Sequence, residues 1–175
     1  MRTSRLAASA LLAATTLALA AGQSQAAPAS RPAAAPKTAA CSAAHTKLTV
    51  QNVSRPINHQ LLTLTNTGST RCNAFAHPYL GFDDEQSVIR VVEDSKPQAV
   101  VTLAPGESAY AGIGLSAADG SADHGRWVRT VRVHLHDGSG SADDSVRVTL
   151  PRGTWIDDSA AVTYWQTDPA DALVW

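Results

Sequence analysis

The sequence predicts an all-β domain, an antiparallel β-sandwich of seven to eight short strands. Three observations carry this. Beyond Cys41 the apolar residues recur with a period of two, and no stretch there shows a capped helical stripe. Turn residues (Gly, Pro, Asn, Asp) punctuate the chain at short intervals over about 135 residues, the spacing expected of a sandwich. Two cysteines, and no more, offer one covalent staple.

Taken in order, residues 1–26 read as a secretory signal. Arg2 and Arg5 form a positive start, Leu6 to Ala21 is an apolar core of Leu, Ala and Thr, and Ser24-Gln25-Ala26 is a small-x-small cleavage pattern. The uninterrupted apolar run is shorter than the ~20 residues of a spanning helix, and no basic stop-transfer cluster follows, so no membrane span is expected in the mature chain. Residues 27–40 carry Pro28, Pro32 and Pro36 among Ala and polar residues, an extended linker with no apolar face to bury. Residues 41–175 form the domain. Export implies an oxidising compartment, and a Cys41–Cys72 disulfide follows. A redox or metal pair normally uses the closer C-x-x-C spacing.

Strands are predicted at Leu48–Gln51 and Leu62–Thr65, the latter closed by the turn Asn66-Thr67-Gly68. Further runs span Ser87–Val92 and Ala99–Leu103, followed by the turn Ala104-Pro105-Gly106-Glu107 and an apolar series at Tyr110, Ile113 and Leu115. The clearest strand is Trp127–His136, with Val131, Val133 and Leu135 on one face and Arg132, His134 and His136 on the other. Asp137-Gly138-Ser139-Gly140 ends it, Val146, Val148 and Leu150 return, and Ala161–Gln166 is the last strand.

The elements Leu62-Thr63-Leu64-Thr65-Asn66-Thr67-Gly68 with Cys72, and Val101-Thr102-Leu103-Ala104-Pro105-Gly106-Glu107-Ser108-Ala109, resemble those of the actinobacterial domain of unknown function numbered 4232. The resemblance covers residues 41 to about 166. It implies an exported, immunoglobulin-like sandwich, often tied to the cell envelope, and no established activity. The chain departs from the pattern in lacking a second cysteine pair and in carrying Ala76-His77-Pro78-Tyr79 after the second cysteine. The matching positions are framework ones, so the resemblance implies no site residue.

Charge narrows the function classes. Four of the fourteen bases precede Cys41, so the domain sets ten bases against fifteen acids, and nucleic-acid binding is not expected. There is no nucleophile elbow, zinc-protease helix, phosphate loop or EF-hand, so no catalytic residue is assigned, no cofactor is expected, and a secreted hydrolase is only a remainder. Asp83-Asp84-Glu85 reads as a solvated turn, and Asp137, Asp143 and Asp144 as a hairpin tip rather than a Ca²⁺ loop.

Two features remain. His134 and His136 share one strand face about 7 Å apart, a spacing that lets two imidazoles hold Zn²⁺ or Cu²⁺ with a third ligand from Asp137, His124 or His45; the competing reading is a wet strand face. Trp155, Tyr164, Trp165 and Trp175 gather near the C-terminus in a chain poor in aromatics. Trp127 is assigned to the core, and one of Tyr164 and Trp165 is expected to point outward. The expected function is a secreted, non-enzymatic binding or structural module that meets a protein or cell-wall glycan through its aromatics, with metal binding by the His-x-His strand as the alternative.

Overall fold

The computed structural model describes residues 37–83 and 87–175. The predicted signal segment, all but the end of the linker, and Asp84 and Glu85 lie outside the described residues. Among the described residues ten strands run in chain order as β1 (Thr46–Asn52), β2 (His59–Asn66), β3 (Cys72–Ala74), β4 (Tyr79–Phe82), β5 (Arg90–Val91), β6 (Val101–Leu103), β7 (Ser108–Gly114), β8 (Arg126–His136), β9 (Ser141–Ile156) and β10 (Ala161–Val162). A four-residue helix, α1 (Pro169–Ala172), begins behind Asp168, whose side chain accepts from the Ala170 amide.

The strands build a sandwich. One sheet has the order β1-β2-β7-β10-β5, the other β4-β8-β9, and β3 pairs with β6 alongside. Pairing is antiparallel except where β10 runs parallel to β5. The period-two pattern decides which side chains meet: Leu62, Leu64, Ala111 and Ile113 of one sheet pack toward Leu80, Phe82, Val131 and Val133 of the other, all fully buried. The predicted turns form as their residues dictate. Buried Asn66 donates to the carbonyls of Thr70 and Leu103 and accepts from the Gly68 amide. The Glu107 carboxylate accepts from the Ala104 amide across Gly106, whose φ of +83° suits glycine.

Cys41 and Cys72 are bonded, with Cα atoms 4.8 Å apart. Around the bond Cys41 donates to the Asn73 carbonyl and Asn73 to that of Ala39, so the start of the domain is laid along β3.

Asp83 does more than the solvated turn expected of it. One carboxylate oxygen accepts from the amides of Arg129 and Thr130 at 3.0 and 2.9 Å and from the Thr130 hydroxyl at 3.3 Å, where the β8–β9 register shifts between Val128 and Thr130. Partial burial pushes its pKa up, but these hydrogen bonds and the Arg126 charge outweigh that and hold it below the usual range. Asp83→Ala is expected to cost about 1–2 kcal/mol at pH 7. A depressed native pKa stabilises above the unfolded value, so the gap between parent and variant is expected to close as pH falls through ~4 and below, measured by urea unfolding at pH 7 and pH 3.

Candidate functional site

The β8–β9 register places Trp127 directly opposite Trp155. Both rings stand outside the sandwich, 67% and 40% exposed, in edge-to-face contact with centroids 5.0 Å apart. Trp127 is therefore not a core residue. The register shift at Val128/Thr130 breaks strict alternation along β8, so the face occupied by buried Val131, Val133 and Leu135 is not the one Trp127 occupies. The partner was hidden because the apolar series of this strand stops at Leu150, whereas β9 continues through Pro151-Arg152-Gly153 to Ile156, with Gly153 at φ +77°.

Local packing fixes the platform. A Cβ on Gly125 would lie 2.3 Å from the Trp155 ring, so the indole rests on bare backbone. Beside it, Arg126 and Ile156, the chain neighbours of the two tryptophans, line a cleft of about 310 Å³ with Arg90, His124, Asp157 and Asp158. The Asp157 carboxylate accepts from the Ala117 and Ser159 amides, and Asp158 accepts from the Asp123 amide and lies 3.4 Å from His124. The cleft thus mixes donors and acceptors on a segment that follows β9 and is hydrogen-bonded to Leu115, Ala117 and Asp123.

Of the other predicted aromatics, Trp165 is 1% and Tyr164 9% exposed; neither points outward. The segment after β10 lies between β7 and the 3-10 turn Glu93–Ser95 and is covered on both sides. Gln166 and Tyr110 exchange backbone hydrogen bonds, Tyr164 donates its amide to the Ser95 hydroxyl, and its phenol donates to Glu93. Trp175 is 47% exposed and lines a groove with Gly112 and Gly114 on β7.

His134 and His136 share the half-buried face of β8, as expected, but each is engaged with backbone: His134 Nδ1 with the Ala142 carbonyl at 3.0 Å, His136 Nδ1 with the Gly138 amide at 2.9 Å. The third-ligand candidates do not converge. His124 precedes the far end of β8, His45 sits in a 3-10 turn beside Gly68, and the Asp137 carboxylate accepts from Ser139 and Gly140. Among the described residues no group of three or more His, Cys, Asp or Glu is arranged to hold a metal ion.

No curated protein matches this chain. Residues 41–166, which contain every strand and both tryptophans of the platform, match the model of a domain of unknown function, DUF4232, and the protein belongs to that family.

Proposed function

We propose that the protein is a secreted, non-enzymatic binding module that takes cell-envelope glycan on the Trp127–Trp155 platform. The single observation that carries this is an exposed tryptophan pair held on a rigid strand register. Leaving Trp127 two-thirds in water forgoes burial that a ligand would restore. Indole faces accept the C–H face of a sugar ring, while hydroxyls need both donors and acceptors, which the adjoining cleft offers in Arg90, His124 and Asp158. Export is supported by the signal-like N-terminus and the disulfide, which fits an oxidising compartment. Among the described residues no helix is long and apolar enough to cross a membrane.

Cosedimentation with purified peptidoglycan tests the reading. Trp127→Ala is expected to weaken binding about tenfold, a loss of ~1.4 kcal/mol, with an unchanged melting temperature because the ring is exposed. A variant ending at Asp168, lacking Trp175, is expected to bind as the parent does. Equal retention of parent and Trp127→Ala, or capture by a secreted protein and not by glycan, would overturn the glycan reading.

A further inference from the structure

At the other end of β8, roughly 30 Å along the strand from Trp127, the structure holds a second recess of about 410 Å³ between the Phe75–His77 segment and the Lys96–Val101 segment. We propose that this recess is a binding site for a small aromatic carboxylate, separate from the tryptophan platform and independent of the glycan reading.

Its volume lies in the range of small-ligand sites, which are mostly apolar with a few placed polar groups. The floor is built from buried side chains, Ala74, Val101 and Trp165. The walls are rings. Phe75 lies 6.4 Å from His136, and His77 meets Tyr164 edge-on at 5.2 Å; Tyr79, outside the lining, backs both pairs through His136 at 6.1 Å and His77 at 4.8 Å. These two pairs of lining rings favour a flat apolar body. Ala76, between Phe75 and His77, sits at φ +48° and accepts from the Trp165 amide. A non-glycine residue held in the left-handed region is a local cost that the surrounding contacts sustain, and here it turns two ring-bearing side chains into one wall.

The polar groups select the head of the ligand. His136 Nδ1 accepts from the Gly138 amide, so in the neutral imidazole the proton is on Nε2, a donor. Burial holds this imidazole below its ordinary pKa; Asp137 opposes that and His77 reinforces it. The neutral form is thus favoured near pH 7. Lys96 supplies an ammonium at the exposed rim. The Tyr164 hydroxyl is committed to Glu93, and the Asp137 carboxylate to its own turn. His77 also lines the recess, with its Nδ1 donating to the Pro78 carbonyl at 3.2 Å, so the lining is not made of donors alone; it is the Lys96 charge, with the His136 donor beside it, that selects an anionic head such as a carboxylate.

The test is a titration of the purified chain with phenylacetate, and with the uncharged isostere phenylacetamide, followed by the imidazole proton signals of His77 and His136. Phenylacetate is expected to shift both signals saturably. Ala99→Trp, at an exposed rim position that fills the recess, is expected to abolish the shift while leaving the melting temperature unchanged. Lys96→Glu is expected to weaken phenylacetate about tenfold and to leave phenylacetamide as it was. Absence of a saturable shift in the parent, or an undiminished one in Ala99→Trp, would overturn the site. Unchanged affinity in Lys96→Glu, or tighter binding of the amide, would overturn the carboxylate. Trp127→Ala is expected to bind phenylacetate normally, so failure of the glycan reading leaves this result distinct.

Discussion

Trp165→Ala is expected to remove about 3–5 kcal/mol of stability, the range for truncating a large aromatic in a packed core. The side chain is 1% exposed and belongs to the central cluster that includes Leu64, Phe82 and Val133. Its backbone amide donates to the Ala76 carbonyl, a bond the alanine variant keeps, so the loss reads the packing of the ring. A domain of this size has only about 5–15 kcal/mol in all, so the variant should lose a large share of its stability and melt well below the parent. Trp127→Ala is the control, with a change within about ±0.5 kcal/mol because that ring faces water. Urea unfolding of the two variants decides it: a cost below about 1 kcal/mol for Trp165→Ala, or equal costs for both, would contradict the packing described.

Removing the disulfide by Cys41→Ala with Cys72→Ala is expected to cost about 3–4 kcal/mol, the chain-entropy value for closing a loop of this length. The two cysteines are separated by 31 residues, and both are buried. The bond holds Ala39 to Cys41 along β3, where only the hydrogen bonds through Asn73 would remain. The melting temperature should fall by roughly 10–15 °C, and reductant added to the parent should reproduce most of the drop. An unchanged transition in reducing buffer would show that the staple contributes nothing.

Much of the fold was legible because a strand with one wet face writes its burial into alternate residues. β8 is the clearest case: Val131, Val133 and Leu135 are buried, as their spacing predicts. The turns at Asn66 and Pro105-Gly106 were legible for a related reason, since their conformations need those residue types. β3 and β4 were not, because strands of three and four residues are too short to show a period. The segment Ala161–Gln166 misled because it is buried on both sides, which erases alternation and hides Tyr164 together with Trp165.

The candidate site was the least legible part. Trp127 and Trp155 are 28 positions apart and meet only because β9 runs on past a proline and a glycine to pair with the start of β8. Likewise the Phe75–His77 segment, Lys96 and His136 come from three separate stretches, and no spacing in the chain foretells that they border one recess.

From its own residues the chain determined its β character, its turns and its single staple, since each is set by local chemistry: periodicity, φ preference and thiol number. Which aromatics are buried and which meet solvent was decided only in three dimensions. A side chain's exposure depends on what the rest of the fold lays over it: here one register shift put Trp127 outside the core expected for it, and a segment covered on both sides buried Tyr164 and Trp165 alike, where one of the two was expected to point outward.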